Sequence, residues 1–141
     1  MYGRTDEQWE QLRESAEYYL VTVAKTRCTT DYSTLNHVIA EENDLPPFDF
    51  SQQPGRDAIG QLLVEISEKT HAEHGIMLTA LVMHKGSSHL GGGFYKLAAK
   101  LGRMPESPTA NQKEKALSQL TTEAHEFYAR PKKASEPPIS G

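Results

Sequence analysis

The near-continuous apolar run Ile76-Met-Leu-Thr-Ala-Leu-Val-Met83, closed off by Gly75 and Gly86, limits the fold more than any other stretch of this chain. Eight residues is a usual strand length and short for a buried helix, so the run predicts a central strand over residues 76–84, although Met, Leu and Ala favour helix. Its flanks carry different periods. Residues 56–70 place Ile59, Leu62, Leu63 and Ile66 on one face at helical spacing, and Gly60 among them predicts close approach of another backbone. After the strand, residues 86–93 read as a glycine-rich turn. Residues 94–101 then form a short helix with Phe94, Leu97, Ala98 and Leu101 inward, ended by Gly102.

The rest of the chain reads as helices and pinned loops. Thr5-Asp6 followed by Glu7 and Glu10 predicts a capped start, with acids where the helix dipole favours them. Trp9, Leu12, Ala16, Tyr19, Leu20 and Val23 extend that helix to about Lys25. Residues 26–30 break the pattern, and Asp31 or Ser33 caps a short helix over residues 34–42 with Leu35, Val38 and Ile39 inward. Residues 43–55 hold Pro46, Pro47 and Pro54 beside Phe48 and Phe50, the composition of a loop pinned by aromatic rings. Pro105 and Pro108 mark a second loop, and Thr109 or Asn111 caps a last helix through about Tyr128. Residues 1–129 therefore read as one globular domain, and residues 130–141 as a disordered tail with little to bury.

Composition removes several classes. The single cysteine, Cys28, leaves no internal disulfide to form and predicts a reducing compartment. No apolar run reaches the roughly 18 residues that cross a bilayer, and the start lacks a signal-peptide core, so a cytoplasmic chain without a membrane partner is expected. Charge is uneven: residues 1–80 hold 6 Lys/Arg against 14 Asp/Glu, whereas residues 81–141 hold 9 against 5. A basic second half that survives folding as a surface would meet an anionic partner.

Candidate chemistry is sparse. His71, His74, His84 and His89 could surround a zinc ion, but the first two lie three apart, unlike the i, i+4 pair of zinc peptidases, and surface histidines are the simpler reading; no metal is expected. Gly86-Ser-Ser-His-Leu-Gly-Gly-Gly93-Phe-Tyr-Lys96 has the strand–turn–helix setting of a phosphate cradle. It lacks the Lys and Ser/Thr of a P-loop and the glycine spacing of a dinucleotide site, so no cofactor is expected. Cys28 has Lys25 and Arg27 nearby and no assignable base. Glu65 and His84 would make an acid–base couple if the strand packs on the third helix.

Three segments together are similar to the C-terminal winged-helix domain of DNA alkylguanine transferases and alkyltransferase-like proteins. Thr30-Asp31-Tyr32-Ser33-Thr34-Leu35 resembles the family's Thr-Tyr-Gly-x-Leu-Ala helix, and Asp57-Ala58-Ile59-Gly60 its Arg-Ala-Val-Gly recognition helix. Val82-Met83-His84-Lys85 with Gly91-Gly92-Gly93-Phe94 resembles its Pro-Cys-His-Arg and glycine-rich turn. Met83 stands in the place of the nucleophilic cysteine, which excludes repair chemistry, and Asp57 in the place of the arginine inserted into the base stack. The resemblance implies a fold more than an activity.

These readings combine into a mostly helical α+β domain, winged-helix-like, with a small sheet and extra N- and C-terminal helices. The leading function is non-catalytic recognition of nucleic acid. Tyr32 and Arg56 would approach a groove or base; His84, Lys85, Lys96 and Lys100 would contact phosphate, with the Gly91, Gly92 and Gly93 amides close to the backbone. The rivals are a protein-interaction module, binding another protein or itself through the proline–phenylalanine loop 45–50, with Phe48 and Phe50, and the acidic first half of the chain, and a small enzyme using Glu65 and His84.

Overall fold

A computed structural model describes residues 3–83 and 92–129. Along the chain run α1 (Asp6–Lys25), β1 (Thr30–Asp31), α2 (Tyr32–Glu42), α3 (Gln53–His74), a 3-10 turn (Leu78–Leu81), β2 (Val82–Met83), α4 (Gly92–Lys100) and α5 (Ala110–Tyr128). The domain is mostly helical with a small parallel sheet, which is α+β in kind.

Local chemistry sets most helix ends. Thr5 caps α1 in a reciprocal arrangement: its hydroxyl accepts from the Gln8 amide at 3.0 Å, and the Gln8 side chain accepts from the Thr5 amide at 2.9 Å. Thr109 and Gln112 repeat the device at α5. Asp31 caps α2 by accepting from the Thr34 amide at 2.7 Å, so that helix starts at Tyr32, two residues ahead of expectation. Pro54 in the first turn starts α3 at Gln53 instead of Arg56, because a missing N–H costs nothing there. Gly75 ends α3 at φ 72°, a conformation that costs glycine no Cβ clash.

The apolar run is buried as expected, but its conformation differs. Only Val82 and Met83 are extended, pairing in parallel with Thr30 and Asp31; Leu78–Leu81 coil into a 3-10 turn. A strand inside a core needs backbone partners on its edges, and the described residues offer only the two of β1. The remaining polar groups turn to other partners. Ala80 N–H bonds back to the Met77 carbonyl at 3.1 Å, the Thr70 hydroxyl donates to the Ile76 carbonyl at 2.7 Å, and Ser67 and Thr79 join their hydroxyls in the interior.

That run is a wall between two cores. Ile76, Leu78, Leu81 and Val82 face a large cluster built by α1, α2 and α3 around Leu12, Leu20, Leu35, Ile39, Leu62 and Ile66. Met77 and Ala80 face a smaller one with Phe94, Leu97, Ala98 and Leu120 from α4 and α5. Two glycine expectations change. A Cβ at Gly60 would meet nothing nearby, whereas one at Gly55 would overlap the Asp49 carbonyl; the close approach is at the start of α3. Gly92 and Gly93, expected in a turn, are the first residues of α4.

Candidate nucleic-acid interface

The β1–β2 pair decides which candidate residues become neighbours. Thr30 lies opposite Val82 and Asp31 opposite Met83, so Tyr32 begins α2 immediately beside the point where the chain leaves Met83 toward residue 84. Tyr32 is half-buried against the larger core, and the Tyr19 hydroxyl bonds that of Thr30 at 2.8 Å, holding β1 against α1. His84, Lys85 and Gly91 lie outside the described residues. Lys96 and Lys100 are exposed one turn apart on α4. Lys100 Nζ lies 3.2 Å from Glu68 Oε2 on α3, so one cation of the basic half is already joined to an acid of the other half.

Arg56 is exposed in the first turn of α3 and serves the preceding loop. It donates to the Phe50 carbonyl at 2.7 Å and to Gln53 Oε1 at 2.8 Å, while Gln53 Nε2 donates to Asp57 at 2.7 Å. Gln53 thus links the Arg56 guanidinium to the Asp57 carboxylate. The two Phe side chains proposed for a protein partner have unequal surroundings. Phe50 is half-buried on the core, but Phe48 is only 8% exposed. Its backbone is clamped by Asn36, which donates to the Phe48 carbonyl at 2.9 Å and accepts from its amide at 3.0 Å. Arg4 lies 4.6 Å over the ring, and Trp9 meets its edge at 6.3 Å. Phe48 is therefore a core residue that also lines an open groove. This groove, of about 400 Å³, runs between Arg4, Pro46, Pro47, Pro54 and Gly55.

Glu65 has a structural commitment. Its Oε1 accepts from Trp9 Nε1 at 3.0 Å and from Arg13 at 3.3 Å, and its Oε2 from Gln61 at 3.0 Å. Burial pushes this carboxyl upward, yet bonds from Gln61, Trp9 and Arg13, with the Arg13 charge, outweigh it and hold the group below its ordinary value. A carboxylate held ionised by three donors is a poor proton acceptor, which weakens the acid–base couple with His84. His74 rests on Phe127 at 4.7 Å between ring centres and on the edge of Tyr128 at 6.4 Å. Among the described residues no three His, Cys, Asp or Glu side chains are grouped to hold a metal ion. Cys28 is exposed, and its carbonyl accepts from His125 Nε2 at 2.8 Å, tying α5 to the turn after α1.

Sequence reasoning missed Asn36, Ser67, Thr70 and Thr79, the buried polar side chains that organise the core, and Glu68, the partner of Lys100. Asn36 had a signal: it falls on the inward stripe of α2 between Leu35 and Ile39, where a polar side chain must find partners. Ser67 and Thr79 had none, because each is satisfied by the other across twelve residues.

No family model, curated protein or solved structure matches this chain. No helix among the described residues is long and apolar enough to cross a membrane.

Proposed function

We propose that this chain is a non-catalytic recognition module that binds nucleic acid through a winged-helix-like face. The observation behind this reading is the parallel pairing of β1 with β2, since it joins the first and third segments of the family resemblance, with Tyr32 beginning a helix beside Met83. The sulfur of Met83 is no alkyl acceptor of use, so the face reads without reacting. Lys96 and Lys100 on α4 supply charge for phosphate, Lys85 and His84 add to it in sequence, and Gly92 and Gly93 are the first residues of α4, where helix amides favour an anion.

Binding of a labelled duplex and a labelled single strand across a salt series tests the proposal. Affinity should fall steeply as salt rises, and replacing Lys96 by Met should reduce the slope of log K against log salt by about 1. A flat salt dependence would count against it, because phosphate contacts release counterions. The open groove beside Pro46 and Pro47 favours a second reading, docking of another protein or a second copy of the chain. In that case Phe50→Ala weakens self-association in sedimentation while oligonucleotide binding stays as it was.

A further inference from the structure

Among the cations assigned to phosphate above, Lys100 already has an anion. Its ammonium sits 3.2 Å from Glu68 Oε2, joining the last residue of α4 to the final turns of α3. Both side chains are well exposed, at 71% and 41%, so the pair is of the weak kind that solvent and salt readily exchange. Lys96 lies one turn earlier, about 6 Å along the helix axis, and is also exposed. Glu65, one turn before Glu68, shows the contrast: Trp9, Arg13 and Gln61 hold it in place.

We infer that Glu68 is a built-in competitor for the anion, pairing with Lys100 in the free protein and giving it up more readily to a phosphate that is itself secured by neighbouring contacts than to a lone one. The inference rests on the nucleic-acid reading and adds its ligand class. A lone phosphate or mononucleotide must displace Glu68 with one contact and then face the freed carboxylate. A polyanionic backbone already held at Lys96 meets Lys100 at high effective concentration and displaces Glu68 at little further cost. The face therefore favours a continuous strand of phosphates over single anions.

A double-mutant cycle tests this with a fluorescein-labelled duplex, read by anisotropy at several salt concentrations, using the wild-type chain, Glu68→Gln, Lys100→Met and the double variant. Both substituted positions are at the surface, and a thermal melt checks that each variant is folded. Glu68→Gln should tighten binding about two- to fivefold at low salt, Lys100→Met should weaken it, and Glu68→Gln should have no effect once Lys100 is gone. Equal tightening in both backgrounds would overturn the inference, because Glu68 would then act by general repulsion. So would binding by the wild type that Glu68→Gln leaves unchanged, and in either case the nucleic-acid reading stands. Absence of salt-dependent binding by all four chains would sink that reading and the inference with it.

Discussion

The two sides of the central run are built by different rules. On the α1–α2–α3 side, fully buried Leu12, Leu20, Leu35, Ile39, Leu62 and Ile66 are supplemented by polar clamps: Asn36 on Phe48, Glu65 under Trp9, Ser67 on Thr79. On the α4–α5 side, fewer side chains are buried, and links at the rim do more of the joining. Arg103 donates to the Gly75 carbonyl at 2.9 Å and to both oxygens of Glu123 at 2.7 and 2.8 Å, and Lys100 reaches Glu68. A clamped core specifies one arrangement, since its buried polar groups are satisfied only when their partners are in place. A face held by rim ion pairs keeps its charges exchangeable. The candidate phosphate contacts on α4 lie on the exchangeable side, and the scaffold that positions Tyr32 lies on the clamped one.

The sharpest way to break this contrast is a matched pair of truncations. Leu62→Ala in the large core should cost about 4 kcal/mol, and Leu97→Ala in the small one about 2 kcal/mol, read by urea unfolding. Equal costs would mean that the two cores are packed alike. Next in size is Gly55→Ala, where the added methyl overlaps the Asp49 carbonyl and the loop must shift; a loss of about 3 kcal/mol is expected. The same exchange at Gly60, where a methyl meets nothing, should stabilise the helix slightly, by about 0.5–1 kcal/mol. A neutral result at Gly55 would show that the loop around Phe48 is not clamped.

The smallest effect concerns pH. The Glu65 carboxyl is held below its ordinary value of 4.5 in the folded chain, so the unfolded chain binds its proton more readily. Its contribution to stability is complete above that ordinary value and is lost as pH falls through the folded value. Wild-type protein should therefore lose stability on acidification below about pH 5 more steeply than Glu65→Gln. Parallel acid profiles for the two chains would remove Glu65 from the clamps.

Helix existence was legible because it depends on local pattern. The apolar stripe from Trp9 to Val23, the Thr5 and Thr109 caps and the Gly75 stop all fall where periodicity and capping chemistry put them. The candidate interface was legible only as a set of residues. Which of them meet was decided by a two-residue sheet too short to leave an alternation in the sequence, and by ion pairs such as Lys100–Glu68 that span 32 positions. The Phe48–Phe50 loop shows the same limit. An aromatic residue among prolines has one appearance in sequence whether its ring anchors the loop, as Phe48 does, or only half covers the core, as Phe50 does.

By itself, the sequence determined that five segments would coil, that residues 76–82 would be buried, and that a capped helix would open near Tyr32, because each follows from side-chain spacing or an adjacent cap. Tertiary structure alone decided that most of the buried run would turn into a 3-10 helix instead of a strand. A strand is defined by the partners it finds, and among the described residues Thr30 and Asp31 alone pair with the run in extended form, while Thr70, Ser67 and the Met77 carbonyl meet other polar groups of it.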